Sequence, residues 1–99
     1  MNFWGVFDGT VVTHPATSNI LPGITRALLL EHASDRTREA DLSARMLAEA
    51  DEVFITSTTR PVLSVVRVDG KPVGDGVPGP ITRELEQRFR DLLEADLSA

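Results

Sequence analysis

The sequence predicts a small α+β protein made of short β-hairpins and about three helices. Two Asp-Gly pairs, Asp8-Gly9 and Asp69-Gly70, each separate two β-prone runs, which is typical of a hairpin because glycine accepts the positive φ of a tight turn. Apolar residues at helical spacing follow in three other places. The length of 99 residues suits one modest core, so we interpret residues 1–99 as a single domain.

Six runs have the composition of strands. They cover residues 2–7, 10–13, 37–42, 53–56, 62–68 and 71–73. The run 62–68 contains the most β-branched residues, which favour extended backbone. The second Asp-Gly turn folds this run back onto 71–73, so we expect one strand over 62–68.

Each of the three predicted helices begins at a recognisable start signal. The first covers residues 24–34 and follows Pro22, whose missing N–H would be unpaired in a first turn anyway. Ser43 is a candidate N-cap for the second helix, and Pro80 opens the third. The buried side of these helices is expected to include Leu28, Leu29, Leu30 and Ala33, then Met46, Leu47 and Ala50, then Ile81, Leu85, Phe89, Leu92 and Leu93.

Charge and composition exclude several classes of function. The chain has 15 acidic and 10 basic residues and a net charge of −5, so it does not attract nucleic acid or anionic membranes. It has no cysteine, which excludes disulfides and thiolate metal sites, and two isolated histidines predict no metal site. No apolar run approaches the ~20 residues of a membrane span, and no signal-like segment opens the sequence. We therefore expect a cytoplasmic protein.

The first candidate site is the predicted start of the first helix, residues 21–26. Gly23 lets the backbone approach a ligand closely, and the N–H groups of Ile24 and Thr25 are free in a first helical turn. The hydroxyl of Thr25 adds a further donor. An ordinary helix start that uses Pro22 and Gly23 explains the same residues equally well.

The second candidate site is the run Thr-Ser-Thr-Thr-Arg at residues 56–60, directly after a predicted strand. Four consecutive hydroxyls at the carboxyl end of a strand form a dense donor cluster, and such ends are common ligand positions. A polar turn in which these hydroxyls bond their own backbone is the alternative. Together the two segments suggest a cup for a phosphate group.

At these residues the sequence resembles the class IV (fold type IV) aminotransferases, which use pyridoxal phosphate. The resemblance rests on Val-Thr-His-Pro-Ala (12–16), Ile-Leu-Pro-Gly-Ile-Thr-Arg (20–26), Ala-Asp-Glu-Val-Phe-Ile-Thr-Ser-Thr (50–58), Val-Asp-Gly (68–70) and Gly-Pro (79–80). Within the family these motifs are most similar to those of the D-amino acid and branched-chain aminotransferases. The resemblance implies that the chain is the C-terminal portion of the family's large domain, a fragment of a class IV domain.

The resemblance also implies a role for each candidate residue, with pyridoxal 5′-phosphate as cofactor. Leu21 would pack against the pyridine ring. Gly23 would let the backbone approach the cofactor closely. Ile24 and Thr25 would give backbone and hydroxyl donors to the cofactor phosphate, and Thr58 with Ser57 would complete its shell. The N–H groups of Thr58 and Thr59 would face the carboxylate of the substrate.

No catalytic residue is expected in this chain. The Schiff-base lysine of the family lies upstream of the matching region, and the only lysine here, Lys71, follows the second Asp-Gly turn, where we expect it to be exposed to solvent. The chain by itself should therefore not transaminate.

Two functions stay open. The first is the C-terminal part of a transaminase that moves an amino group between an amino acid, of D-amino acid or branched-chain type, and a 2-oxo acid. It would act as a homodimer or together with a missing N-terminal half. The second is a non-catalytic module that binds pyridoxal phosphate or another phosphate, or a subunit completed by a separate N-terminal chain.

Further expectations concern individual residues. Trp4 and Phe7 should belong to the core or to an interface with another subunit. In the isolated chain that interface would be uncovered, so we expect Trp4, Phe7 and the apolar side of the last helix to be exposed. Such a surface would favour self-association. Arg26 should form a structural salt bridge or face the ligand. The pair Asp51-Glu52 is interpreted as a helix cap or salt bridge rather than as catalytic carboxylates.

Overall fold

The computed structural model of the chain describes residues 2–15, 24–57 and 61–98. Its strands are Asn2–Phe7 (β1), Thr10–Thr13 (β2), Thr37–Glu39 (β3), Glu52–Thr56 (β4), Leu63–Val65 (β5), Arg67–Val68 (β6) and Lys71–Pro72 (β7). Its helices are Ile24–His32 (α1), Ala44–Glu49 (α2) and Pro80–Ser98 (α3). Within these ranges, none of the helices is both long and apolar enough to cross a membrane.

A mixed five-stranded sheet forms the centre of the fold, in the order β3-β2-β1-β4-β5. The pairing of β2 with β3 is parallel, and the other pairings in this sheet are antiparallel. Both Asp-Gly turns are confirmed: φ is 52° at Asp8 and 85° at Gly9, and 52° at Asp69 and 79° at Gly70. Positive φ at both central residues defines the turn type whose twist matches that of paired strands.

The run 62–68 does not form one strand. It divides into β5, which lies at the edge of the sheet next to β4, and β6, which pairs with β7 in a separate hairpin. The division falls at Val66, whose carbonyl accepts a hydrogen bond from the backbone N–H of Val73 at 2.9 Å. A β-branched composition favours extended backbone but does not select the partner strand, so the change of partner was missed.

The strand predicted over 37–42 is also shorter than expected. Its last bond to β2 runs from the N–H of Ala40 to the carbonyl of Thr13 at 3.0 Å. β2 itself ends at Thr13, and β3 ends at Glu39.

The main core lies between one face of the sheet and helices α1 and α3. Trp4 is its largest member, with 0% of its surface exposed, and its ring stacks on Phe54 at a centroid distance of 5.5 Å. The expectation that Trp4 would be exposed in the isolated chain was therefore wrong, because two helices cover this face. The cluster contains Trp4, Val6, Val11, Leu29, Ala33, Phe54 and Leu85.

A smaller cluster fills the opposite face of the sheet. It is built on Ala50, Val53 and Val73, with Phe7 and Leu47 packed against it. Ser43 caps α2 as predicted, since its hydroxyl accepts from the N–H of Met46 at 3.2 Å. The side chain of Met46 is nevertheless exposed, whereas the neighbouring Leu47 packs against the cluster.

The carboxylate of Glu52 caps helix α3 from a neighbouring strand. Its Oε2 accepts from the N–H of Ile81 at 3.1 Å and its Oε1 from the N–H of Thr82 at 2.8 Å. Asp51 accepts from the backbone N–H of Asp8 at 2.8 Å. The predicted capping role is confirmed for Glu52, which attaches α3 to the sheet, whereas Asp51 bonds the first hairpin turn.

Ion pairs attach the turn after α1 to the exposed side of α3. Arg88 bonds both carboxylate oxygens of Asp35, at 2.8 and 3.0 Å, and Arg36 pairs with Glu84 at 2.6 Å. The hydrogen bond from Arg88 lowers the pKa of Asp35 below its ordinary value of 3.8, since the donor favours the charged carboxylate.

We expect Asp35→Asn to remove a small, pH-dependent part of the stability. A carboxylate whose pKa is lowered by folding stabilises the native state above its unfolded pKa, and this contribution disappears as the pH falls through the folded value. The melting temperatures of parent and variant should therefore differ at about pH 6, and the difference should shrink as the pH falls below the ordinary pKa of 3.8 and through the lower folded pKa. High salt should shrink the difference at pH 6 because the pair is exposed. A gap unchanged down to the acid limit would contradict this assignment.

Candidate functional site

Four strand ends converge at one end of the sheet. The amino end of β1 meets the carboxyl end of β4, where Asn2 pairs with Thr56. The carboxyl end of β2 lies beside β1 and β3, since Thr13 pairs with both Trp4 and Glu39. This end of the sheet therefore gathers three carboxyl strand ends, the usual location of ligands in α/β proteins.

The first turn of α1 contacts this end of the sheet through Thr25. The hydroxyl of Thr25 donates to the backbone carbonyl of Ser57, 32 residues later, at 3.5 Å. Thr25 is only 6% exposed, and Ser57 is half-buried. The two polar segments singled out in the sequence are thus neighbours in space, as a shared cup requires.

Several predicted members of the cup lie outside the described residues. These are Leu21, Gly23, Thr58 and Thr59, so their assignments stay predictions. Ile24 is described as the first residue of α1. Its N–H and that of Thr25 belong to the first helical turn, which has no acceptor within the helix.

Thr56 was grouped with the hydroxyl cluster but has a different task. Its Oγ1 accepts a hydrogen bond from the indole Nε1 of Trp4 at 3.1 Å, and the residue is fully buried. A buried indole N–H needs such a partner. Thr56 therefore joins the core to the end of β4, next to Ser57.

Arg26 follows Thr25 and is held on the opposite side of the first turn. Its guanidinium Nη2 donates to the backbone carbonyl of His14 at 3.1 Å and to Glu39 Oε1 at 3.0 Å. The salt bridge, one of two roles considered for this residue, is confirmed. The sequence did not predict Glu39 and the carbonyl of His14 as partners of Arg26. Their approach depends on the parallel β2–β3 pairing, which has no local signal in the sequence.

A cavity of about 530 Å³ opens beside the same end of the sheet. Phe3, half exposed on β1, lies on its wall. The lining comprises Asn2, Phe3, Thr13, His14, Leu42, Ala44, Leu47, Val68 and Asp69.

Lys71 is exposed and pairs with Val68 across the β6–β7 hairpin, in agreement with the solvent exposure expected for it.

The chemistry of the donor set fits an anion with several oxygens. The N–H groups of the first helical turn, the hydroxyl of Thr25 and the positive end of the helix dipole all favour a phosphate dianion. The bond from Thr25 to Ser57 is at the long end of the hydrogen-bond range, so the hydroxyl can exchange it for a shorter bond to a charged oxygen.

Known proteins share both the sequence and this arrangement of strands. The family model described as amino-transferase class IV matches residues 1–68. The D-alanine aminotransferase of Staphylococcus aureus (strain COL) is 39% identical over 97 residues, and the match covers 95% of this chain and 34% of that enzyme. The chain thus spans about a third of the length of the curated relatives it matches.

Solved structures of aminotransferases superpose on this chain. The branched-chain amino acid aminotransferase of Escherichia coli superposes with a TM-score of 0.85 at 41% identity, over 92% of this chain and 32% of that one. The branched-chain amino acid aminotransferase of Thermobaculum terrenum in its PLP form gives 0.80 at 29% identity, over 92% of this chain and 31% of that one. The expected α+β fold class is confirmed by these neighbours.

Proposed function

Since the chain belongs to the amino-transferase class IV family, we propose that it forms the part of a transaminase that holds the cofactor phosphate. Pyridoxal 5′-phosphate is the cofactor that this membership implies. The proposed reaction moves an amino group between an amino acid of D-amino acid or branched-chain type and a 2-oxo acid. The observation that carries the proposal is the approach of Thr25 to Ser57 where the strand ends converge.

The proposed phosphate ligands are the N–H groups of Ile24 and Thr25, the hydroxyl of Thr25, and Ser57. Residues outside the described ranges would complete the site. Gly23 would leave room for the phosphate, Leu21 would pack on the ring, and Thr58 would serve both the phosphate and, with Thr59, the substrate carboxylate. When bound, the cofactor supplies an electron-withdrawing ring that stabilises negative charge at the carbon bearing the amino group.

Covalent attachment of the cofactor would require a lysine outside these 99 residues. Lys71, the only lysine of the 99 residues, is exposed in the β6–β7 hairpin. The lysine would come from an N-terminal half, within a homodimer or a two-chain assembly. The same position of Lys71 favours the second candidate function, a non-catalytic module that binds phosphate groups.

We expect Thr25→Val to weaken binding of pyridoxal 5′-phosphate by the 99-residue chain at least tenfold. A hydrogen bond to a charged group contributes about 1.5–3 kcal/mol, and valine keeps the shape while removing the hydroxyl. Equilibrium dialysis would measure the dissociation constant, with inorganic phosphate as competitor. The unaltered chain should show no amino transfer in the same samples.

Thr10→Val is the matched control. Thr10 is also a half-buried threonine, but it pairs with Phe7 at the opposite end of the sheet. Its substitution should leave the dissociation constant unchanged. Equal loss of binding in both variants, or no binding by the unaltered chain, would overturn the proposal.

A further inference from the structure

We propose that Arg26 is a positioning residue that fixes the first turn of α1 across the end of the sheet and thereby sets the place of Thr25. This inference rests on the proposed function, because it matters only if Thr25 serves a bound phosphate. Arg26 would donate no hydrogen bond to that phosphate itself.

The contacts of Arg26 join three elements. Its Nη2 reaches the carbonyl of His14, just after β2, and the carboxylate of Glu39, the last residue of β3. Arg26 itself stands third in α1. One guanidinium nitrogen therefore attaches the helix start to the ends of two parallel strands.

Thr25 and Arg26 hold the helix from opposite sides. The hydroxyl of Thr25 bonds the carbonyl of Ser57 after β4, whereas Arg26 bonds the ends of β2 and β3. Two adjacent residues thus span the sheet from β4 to β3. The weaker contact is the one from Thr25, at 3.5 Å, so the bonds of Arg26 at 3.0 and 3.1 Å determine where the turn lies.

Helix stability alone does not explain an arginine at this position. A cation in a first helical turn opposes the helix dipole, and a buried charge is unfavourable unless it is paired. Arg26 is only 4% exposed, whereas its partner Glu39 is exposed. The arginine side chain is long enough to reach both acceptors, and its planar guanidinium directs the N–H groups at them. The ammonium of a lysine has no such fixed direction.

The charge of Arg26 adds little to the positive potential at the helix start, because the carboxylate of Glu39 lies 3.0 Å from the guanidinium. The N–H groups of the first turn supply the attraction for an anion at this end of the sheet. Positioning and charge can be separated, because Arg26→Lys keeps the charge but loses the planar guanidinium, whereas Arg26→Met loses both.

The test is a double-mutant cycle on binding of pyridoxal 5′-phosphate, measured by equilibrium dialysis. Arg26→Met should raise the dissociation constant at least tenfold in the parent chain and less than threefold in the Thr25→Val background, because a residue that acts through Thr25 has little left to position. Arg26→Lys should recover only part of the loss. Thermal unfolding followed by circular dichroism would verify that each variant is folded.

Arg36→Met is the matched control. Arg36 is a half-buried arginine that pairs with Glu84 away from the sheet end, so its loss should lower the melting temperature without changing the dissociation constant. If Arg26→Met does not fold, Arg26→Lys and Glu39→Ala carry the test, and each should weaken binding by at least threefold.

The outcomes distinguish this inference from the function on which it rests. Equal effects of Arg26→Met in both backgrounds, or normal binding by the Arg26 variants while Thr25→Val weakens it, would overturn the positioning role alone. Absence of binding by the unaltered chain would overturn both.

Discussion

Replacing Trp4 by alanine should lower the free energy of unfolding by about 3–5 kcal/mol. The indole is fully buried, stacks on Phe54 and donates to Thr56, so the substitution leaves a cavity and an unpartnered hydroxyl. Proteins in general have only about 5–15 kcal/mol of net stability, and the variant should be largely unfolded in mild denaturant. Urea titration followed by circular dichroism is the suitable measurement, because Trp4 is the only tryptophan of the chain.

Two further variants separate the contributions. Trp4→Phe keeps most of the aromatic ring but removes the indole N–H. It should lower the free energy of unfolding by about 1–3 kcal/mol, less than Trp4→Ala does, because the hydroxyl of Thr56 is left buried without its donor. Phe3→Ala changes an aromatic residue on the same strand that is 50% exposed, and should cost about 1 kcal/mol. Similar losses for Trp4→Ala and Phe3→Ala would contradict the described core.

Gly79→Ala should destabilise the chain by about 2–4 kcal/mol, because it displaces the cap of α3. A Cβ at this position would overlap the side chain of Glu52. The carboxylate would have to leave the N–H groups of Ile81 and Thr82, which would then be buried without an acceptor. Glu52→Ala should cost a similar amount, as seen by urea titration of each variant.

The mechanism predicts that these two changes are not additive. Once Glu52 is alanine, Gly79→Ala has no carboxylate to displace and should cost well under 1 kcal/mol. Gly9→Ala provides the comparison: its φ is +85°, but no atom lies within 4 Å of a Cβ built there, so only backbone strain of about 1–2 kcal/mol is expected. Additive losses at residues 52 and 79 would rule out the cap as the cause.

Local signals predicted most of the elements. The Asp-Gly turns, the cap of α2 at Ser43 and the helix start at Pro80 each depend on neighbouring residues, and each is found in the structure. The parallel pairing of β3 with β2 has no such signal. The change of partner at Val66 has none either, because both depend on where distant strands already lie.

The candidate site divides in the same way. The polar segments at residues 21–26 and 56–60 are visible as donor clusters, and the family resemblance joins them into one cup. The attachment of Arg26 to a backbone carbonyl and to Glu39 was missed, since any residue type supplies a carbonyl. Of the pair Asp51-Glu52, Glu52 has the predicted capping role, but the helix it serves begins 28 residues later, at Pro80, and local spacing does not specify that partner.

The pairing of β1 with β4 has a consequence for the time course of folding. It joins the first described residues to residues more than fifty positions later, as the bond from Trp4 to Thr56 illustrates with a separation of 52. Contacts of such long range require closure of a large loop before they contribute energy, and they are characteristic of slow folding. During synthesis, β1 must therefore wait for β4 to leave the ribosome. The sheet end with Thr25 and Ser57 is therefore assembled only after β4 has been synthesised.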